Sequence, residues 1–329
     1  MEAITTTIRG RGLSPGRLVA IADRLEKDVA ASAIPGAMIV IGSHNRVIFE
    51  RTVGFRDVAE DDPLRPDAIW RIYSMTKPIV TAAAMVLVEA GLLCCDQPVA
   101  EFIPRFAQLR VADSAGRNVP AQPPPTIQDL MRHTAGLSYG YRGDGPAHQA
   151  YVADGFLYED LSNASFVDRL AALPLEHQPG TVWHYSHATD VLGRVLEVVS
   201  GHRLLQVLQE TLFEPLGMLE TDFQLPAAKR GRVAEPLPQP AGGKPRFFDP
   251  CLPAARSARR RRSCLNGSRL RSLSSYAAGT RKPGRHARLE PGHGGLHDRR
   301  PSGPFYPQGE LLSAGTGLWV RIRVRCSAC

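Results

Sequence analysis

The sequence predicts a mixed α/β (α+β) fold with a large helical part. An amphipathic run near the N-terminus is followed by two strand-like runs and then by six segments that are predicted to be helical. With 329 residues, 43% of them apolar, the chain can bury the core of one large domain or of two smaller ones. Because the sequence holds no run of about 18 apolar residues, we expect no membrane-spanning helix.

The first predicted elements are a helix and a hairpin. Apolar residues recur at helical spacing over residues 14–34, and Pro35-Gly36 ends the pattern. Residues 37–58 hold two runs rich in β-forming residues on either side of Ser43-His44-Asn45. This pattern predicts two antiparallel strands joined by a turn.

The helical part is predicted from the later periodic segments. The segment 77–93 is apolar on nearly all sides, so we expect a buried helix that ends near Gly91. After a proline-rich break, another helix is expected from about Thr126 to Gly136. Further helical segments are predicted at 94–106 (short, with a turn), 162–180 (closed by Pro174 and Pro179-Gly180), 187–201 (ending at Gly201) and 203–218.

The basic character of the chain belongs to its last quarter. Residues 251–329 hold 16 basic and three acidic residues, a net charge of +13, whereas residues 1–250 hold 24 basic and 29 acidic residues, a net charge of −5. The periodic pattern is also lost near Pro250, and only residues 309–326 look strand-like beyond it. We therefore predict a folded domain at 1–250 and an Arg-rich, atypical segment at 251–329.

Three interpretations of the Arg-rich segment are open. One is a basic arm that binds nucleic acid or acidic partners, and another is a solvated, poorly ordered tail. The third, which we favour, is a shift of the reading frame near residue 250. Out-of-frame translation of a GC-rich gene yields Arg, Ala, Gly, Pro and Ser with scattered Cys, and four of the six cysteines lie here. Resequencing of the source DNA tests this hypothesis.

We expect neither a metal nor a cofactor. Cys326 and Cys329 have the spacing of a zinc or redox pair, but no second pair accompanies them. The sequence holds no phosphate-binding loop and no dinucleotide fingerprint. Residues 1–18 lack the apolar region of a secretory signal, which leads us to expect a cytoplasmic location.

The candidate chemistry lies in RIYSMTKPIV, residues 71–80. Ser74 stands three residues before Lys77, and positions i and i+3 share one face of a helix, so the two side chains should meet. A serine hydroxyl needs a base to act as a nucleophile. Burial and the positive end of a helix dipole both favour a neutral amine, which can accept the serine proton. The backbone N–H of Ser74 is a candidate oxyanion donor; the alternative is a Ser74 that only caps a surface helix.

Three stretches resemble the serine β-lactamase and penicillin-binding-protein superfamily, in particular its class C β-lactamase-like esterases, the family VIII carboxylesterases. They are residues 69–106 around Ser74 and Lys77, residues 129–140 (DLMRHTAGLSYG) and residues 179–201 (PGTVWHYSHATDVLGRVLEVVSG). The resemblance covers roughly residues 15–250. It implies an antiparallel sheet flanked by helices plus an all-helical subdomain, with the C-terminal strands of the sheet missing or altered in this chain.

The resemblance also implies roles for three residues. Ser74 would be the acylated nucleophile and Lys77 its general base. Tyr185 would relay a proton between Lys77 and the leaving group, with a phenol made more acidic by nearby cations; alternatively, Tyr185 is a core aromatic.

This chain departs from the superfamily pattern in two places. His187 stands where the β-lactamases commonly have the asparagine of Tyr-x-Asn, which favours ester over lactam substrates. Histidine is ordinary at such a surface, so we do not expect His187 to be a base, and we expect His133 to anchor a loop. The third motif, usually Lys-Thr-Gly, His-Thr-Gly or Trp-x-Gly, is not found in its expected setting. Residues 314–319 (AGTGLW) lack the basic residue, and residues 291–295 (PGHGG) have different flanks.

The predicted function is that of a serine hydrolase, in particular an esterase that forms an acyl-enzyme on a small-molecule ester or amide substrate. One alternative is a β-lactamase or a D-aminopeptidase or carboxypeptidase. Another is a catalytically inactive relative whose basic tail binds acidic partners. We expect no membrane partner and no nucleic acid partner for the hydrolase itself.

Overall fold

A computed structural model of the protein describes residues 14–43, 46–113, 115–140, 143–155, 161–238, 274–276 and 318–324. These residues fall into two compact units. The first comprises 14–68, 234–238 and 318–324, and the second comprises 69–233 and 274–276. Helices and antiparallel strands occur together, as the predicted mixed class requires.

The elements are numbered in chain order. The helices are α1 (Pro15–Ala30), α2 (Thr76–Glu89), α3 (Ile127–Arg132), α4 (Pro146–Asp154), α5 (Asn163–Leu170), α6 (Ala188–Ser200) and α7 (Leu204–Leu208). The strands are β1 (Gly36–Ser43), β2 (Arg46–Asp57), β3 (Asp62–Pro63), β4 (Ile69–Arg71), β5 (Arg110–Ala112), β6 (Asn118–Pro120), β7 (Ser274–Tyr276) and β8 (Leu318–Val324). Short 3-10 turns lie at Tyr73–Met75, Val99–Glu101, Pro104–Gln108 and Ala227–Arg232.

The first unit is a helix packed on an antiparallel sheet. In α1, Leu18, Ala22 and Leu25 form a buried stripe at helical spacing and share one core with the inward residues of β1 and β2. The sheet has the order β3-β2-β1-β8. The predicted helix and hairpin are confirmed, although the predicted turn residues His44 and Asn45 lie outside the described residues.

The strand-like stretch of the Arg-rich segment joins this sheet. Strand β8 pairs antiparallel with β1, in register from Ala37 opposite Val324 to Ser43 opposite Leu318. The described sheet therefore extends beyond the N-terminal hairpin. The other residues of 251–329, apart from β7, lie outside the described ranges.

The second unit is mainly helical and is built around α6. Helix α6 contacts α2, α3, α5 and α7, and it buries Val191, Leu192 and Val195. Helix α2 confirms the predicted segment but ends at Glu89, two residues before Gly91. The expected buried helix is buried on one face only, since Met85 on the other face is 41% exposed.

Helix α3 begins as predicted and ends early. Thr126 Oγ1 accepts a hydrogen bond from the Asp129 N–H (3.2 Å), and the Thr126 N–H donates to Asp129 Oδ2 (3.0 Å), which forms a capping box. The helix stops at Arg132 because His133 adopts the left-handed region (φ 58°). The predicted end at Gly136 is therefore four residues too late.

The remaining helical predictions are confirmed with local differences. Helices α5 and α6 lie within their predicted segments, and Gly201 ends α6 with φ 73°. The segment 203–218 forms α7 and then continues as a π-helix at Gln209–Phe213. The sequence did not predict α4 or the short strands β4 to β7. Among the described residues, no helix has the length and hydropathy needed to cross a membrane.

Candidate active site

Ser74 and Lys77 meet at the start of α2. Ser74 lies in the 3-10 turn that precedes the helix and is exposed, whereas Lys77 is in the first helical turn and is only 8% exposed. Lys77 Nζ lies 3.3 Å from Ser74 Oγ and donates a hydrogen bond to it. The expected contact across i and i+3 is present, with a 3-10 turn rather than an α-helix holding the serine.

The residue before the serine is strained. Tyr73 has φ 41°, a left-handed conformation that costs a residue with a side chain about 1–3 kcal/mol. The turn is closed by the Met75 N–H, which donates to the carbonyl of Ile72 (2.9 Å). Strain of this kind persists only where the surrounding structure fixes the backbone, and it often marks functional sites.

Tyr185 lies against the amine of Lys77. Lys77 Nζ is 4.7 Å from the centroid of the Tyr185 ring, and Tyr185 is hydrogen-bonded to Lys77, Ser74 and Tyr139. Burial alone would raise the pKa of Tyr185, but these hydrogen bonds and the charge of Lys77 outweigh it, so the pKa lies below its ordinary value. The structure therefore brings all three predicted residues into one cluster.

Tyr139 completes the cluster, although the sequence analysis did not single it out. Its ring is 5.3 Å from the ring of Tyr185 and 5.7 Å from Lys77 Nζ, and its side chain is buried. Tyr139 stands in the DLMRHTAGLSYG stretch, which was used only for the resemblance. Its place in that stretch was the only sequence signal for it, since its contact with Lys77 depends on tertiary packing.

His133 holds the loop that carries Tyr185. The Ser186 N–H donates to His133 Nδ1 (3.2 Å), and the His184 N–H donates to the His133 carbonyl (2.8 Å). Burial, together with the nearby charge of Lys77, lowers the pKa of His133 to about 4, so the ring is neutral at pH 7 and Nδ1 can accept. This arrangement agrees with the loop-anchoring role expected for His133.

His187 lies in the core rather than at a surface. Its side chain is fully buried, Nδ1 is 3.0 Å from Asp190 Oδ2, and the ring packs on Tyr139 (4.4 Å) and Phe166 (5.1 Å). The expectation of a surface histidine is wrong because His187 precedes α6 on the side that faces the neighbouring helices. The ring of His187 therefore supports the ring of Tyr139 by packing against it.

Two large apolar side chains near the cluster face solvent. Trp183 is 67% exposed and its ring lies nearly parallel to that of Tyr185, with centroids 6.3 Å apart. Met75, next to Ser74, is 54% exposed. Of the candidate stretches for a third motif, 291–295 lies outside the described residues, and of 314–319 only Leu318 and Trp319 are described, as the start of β8. The described site therefore consists of the cluster around Lys77 and its surroundings.

The cluster has the chemistry of an activated serine. An exposed hydroxyl lies beside a buried amine, and the amine lies beside a phenol of lowered pKa. Such a set can pass a proton away from the serine and return it to a leaving group.

The chain belongs to the Beta-lactamase family, whose model matches residues 21–313. By sequence it is similar to Esterase EstB of Burkholderia gladioli, with 33% identity over 230 residues that cover 64% of this chain and 57% of EstB. The chain spans about half the length of the relatives that it matches by sequence.

Solved structures agree with this assignment. The chain is similar to EstCE1, a hydrolase with promiscuous acyltransferase activity, with a TM-score of 0.61, 28% identity, and coverage of 80% of this chain and 70% of EstCE1. It is also similar to simvastatin synthase (LovD) of Aspergillus terreus, with a TM-score of 0.61, 28% identity, and coverage of 79% and 65%. These likenesses confirm the expected β-lactamase-like fold, and they relate the chain to proteins that include esterases.

Proposed function

We propose that the protein is a serine hydrolase that cleaves small carboxylic esters through an acyl-enzyme on Ser74. The observation that carries the proposal is the position of Lys77 Nζ, 3.3 Å from Ser74 Oγ and 4.7 Å from the Tyr185 ring. A buried amine in contact with both an exposed hydroxyl and a phenol is arranged for proton transfer.

The proposed first step is acylation. Lys77 in its neutral form takes the proton of Ser74 Oγ, and the oxygen attacks the ester carbonyl to give a tetrahedral intermediate. Tyr185 donates a proton to the departing alkoxide and regains one from Lys77, so the alcohol leaves and the acyl group stays on Ser74. The Ser74 N–H is the candidate for one oxyanion donor.

The proposed second step is hydrolysis of the acyl-enzyme. Water enters where the alcohol left, and its oxygen attacks the acyl carbon while Tyr185 takes its proton and passes its own proton to Lys77. The carbon–oxygen bond to Ser74 then breaks. The proton then returns to Ser74 Oγ, and the carboxylic acid is released.

A second candidate function is acyl transfer to an alcohol other than water. EstCE1 is described as having promiscuous acyltransferase activity, and simvastatin synthase is also similar to this chain. The exposed ring of Trp183 and the exposed side chain of Met75 offer an apolar surface on which an organic acceptor could displace water.

The test is covalent labelling of the purified full chain with a fluorophosphonate probe, followed by assays on p-nitrophenyl esters, a cephalosporin and a D-alanyl peptide. We expect labelling of the wild type that is lost in Ser74→Ala and Lys77→Ala. Labelling should be unchanged in Ser14→Ala, which removes another exposed serine. Faster product formation with added alcohol would support acyl transfer.

Other outcomes would support the alternatives. Turnover of the cephalosporin or the peptide in preference to esters would indicate a β-lactamase or a D-aminopeptidase or carboxypeptidase. Absence of labelling in a folded wild type would contradict the proposal and indicate an inactive relative. In that case, DNA affinity that falls steeply with salt and disappears on deletion of 251–329 would assign the function to the basic segment.

A further inference from the structure

A second cluster of titratable side chains lies in the helical unit and takes no part in the proposed acyl chemistry. Glu176, His177 and His184 each offer one donor atom, and the three atoms lie within 4.8 Å of one another. All three side chains are partly buried. Two imidazoles and a carboxylate form a donor set that binds transition-metal ions, as in the catalytic sites of several zinc enzymes.

The distances in this cluster approach those of a metal site. His184 Nε2 lies 3.6 Å from Glu176 Oε2, and the rings of His177 and His184 have centroids 5.3 Å apart. In a tetrahedral zinc site with bonds of 2.0–2.1 Å, neighbouring donors are about 3.4 Å apart. The pair of Glu176 and His184 is already close to that separation, and no donor atom of the cluster is more than 4.8 Å from another, so side-chain rotation of His177 can close the set.

One carboxylate oxygen of the cluster lacks a hydrogen-bond donor among the described residues. Glu176 Oε2 is buried, and within the described ranges it has no hydrogen-bond partner. Its nearest counterpart, His184 Nε2, is beyond hydrogen-bond distance and also lies 3.4 Å from Ser138 Oγ. A buried carboxylate oxygen without a donor is costly, and a cation between it and the two imidazoles would remove that cost.

The backbone on both sides of the cluster is fixed in advance. The Glu176 N–H donates to the Gly136 carbonyl (2.8 Å), and the His184 N–H donates to that of His133 (2.8 Å). Gly136 has φ 76°, and a Cβ at this position would lie 2.0 Å from the carbonyl oxygen of His177. Only glycine allows this approach, so the segments that carry the three donors are held close together before any ion binds.

We propose that Glu176, His177 and His184 bind one divalent transition-metal ion, with Zn²⁺ preferred and a fourth position open to water. Because His184 directly precedes Tyr185, the ion ties the loop that carries Tyr185 to the segment of Glu176 and His177. The site therefore stabilises that loop, and the proposed reaction at Ser74 does not consume or require the ion.

The test is a titration of metal-free full-length protein with Co²⁺, followed by displacement with Zn²⁺. We expect visible absorption bands of four-coordinate Co²⁺ that saturate at one equivalent, and at least a 100-fold weaker affinity in His177→Gln and in His184→Gln. His202→Gln is the matched control, because His202 pairs with Glu210 at 3.5 Å but belongs to no cluster of three among the described residues.

The cysteines near the C-terminus are checked by spectrum and by substitution. A thiolate ligand gives an intense near-ultraviolet charge-transfer band with Co²⁺, and we expect none. The double variant Cys326→Ser, Cys329→Ser should bind Co²⁺ like the wild type. Zn²⁺ should also raise the melting temperature of the wild type, and not that of Glu176→Gln.

Two results would overturn the proposal. One is a folded wild type that shows neither the visible bands nor a rise in melting temperature at millimolar metal. The other is a Co²⁺ affinity that stays within a few-fold of the wild type in both His177→Gln and His184→Gln. A thiolate band lost in the cysteine variant would place the binding site elsewhere in the chain.

Discussion

Lys77→Met separates the chemical role of the buried amine from any structural role. The wild-type side chain is 8% exposed, is hydrogen-bonded to Ser74 and Tyr185, and lies over the rings of Tyr185 and Tyr139. Each hydrogen bond contributes about 1 kcal/mol to stability, and the two cation–π contacts contribute roughly 1–3 kcal/mol together. Against this, the desolvation of a buried ammonium costs several kcal/mol.

Methionine has a similar length and no charge, so it recovers the desolvation cost and keeps most of the packing. We expect the free energy of unfolding, measured in urea, to stay the same or to rise by up to about 2 kcal/mol. Ester turnover should fall by about 100- to 10,000-fold, because the serine loses its proposed general base. The control is Lys27→Met, an exposed lysine of α1, which should change neither quantity.

The reasoning would be refuted if Lys77→Met lost more than about 1 kcal/mol of stability, because the amine would then be retained for folding. It would also be refuted by turnover within tenfold of the wild type in the folded variant. Fluorophosphonate labelling of Lys77→Met gives an independent readout, since it reports the reactivity of Ser74 without substrate binding.

Three further predictions concern other residues. Tyr185→Phe keeps the ring beside Lys77, so the melting temperature should stay unchanged. It removes the hydroxyl of the proposed proton relay, so the kcat for esters should fall by about 100-fold or more. Because Tyr73 has φ 41°, Tyr73→Gly should have a free energy of unfolding in urea about 1 kcal/mol higher than that of Tyr73→Ala. At Arg24, which is exposed in α1, the order should reverse, and Arg24→Ala should be more stable than Arg24→Gly. Glu220→Gln should cost about 1 kcal/mol at pH 7, a difference that fades as pH falls towards 2.

The pH dependence of the last prediction follows from the partners of Glu220. Arg232 binds the carboxylate through two hydrogen bonds of 2.9 and 2.7 Å, and Lys229 Nζ lies 2.8 Å from it. These contacts lower the pKa of Glu220 to about 2 in the folded state, below its ordinary value of 4.5. The stabilisation is therefore complete above about pH 5 and is lost as the pH falls through 2. An equal loss at pH 2 and pH 7 would contradict the assignment to charge.

Much of the fold could be predicted from the periodicity of apolar residues and from the glycine and proline residues at the ends of elements. The stripe of Leu18, Ala22 and Leu25 follows from helical spacing, and Gly201 marked the end of α6 correctly. The end of α3 was not readable, because a histidine takes a backbone conformation that usually requires glycine or asparagine. The change from α to π at Gln209 likewise has no local sequence signal.

The site was predictable where it depends on sequence spacing and not where it depends on tertiary packing. The contact between Ser74 and Lys77 follows from three residues of separation, and the resemblance supplied Tyr185. The burial of His187 against Phe166 depends on the packing of α5 and α6, which no local pattern encodes. The approach of His184 to Glu176 is a contact between two irregular segments and was not predicted.

One carboxylate in α3 closes both ends of that helix. Asp129 accepts hydrogen bonds from Thr126 Oγ1 (2.7 Å) and from Thr134 Oγ1 (2.6 Å), on either side of a helix of six residues. Burial would raise the pKa of Asp129, but these hydrogen bonds hold it below its ordinary value. A helix this short does not persist alone in water.

Because one side chain fixes both of its ends, α3 can hold His133 in a fixed position and orientation. The alignment of the Tyr185 phenol then depends on a carboxylate that is not part of the cluster around Lys77. A substitution at Asp129 would therefore displace His133 and, through the hydrogen bonds of His133 to Ser186 and His184, the loop that carries Tyr185.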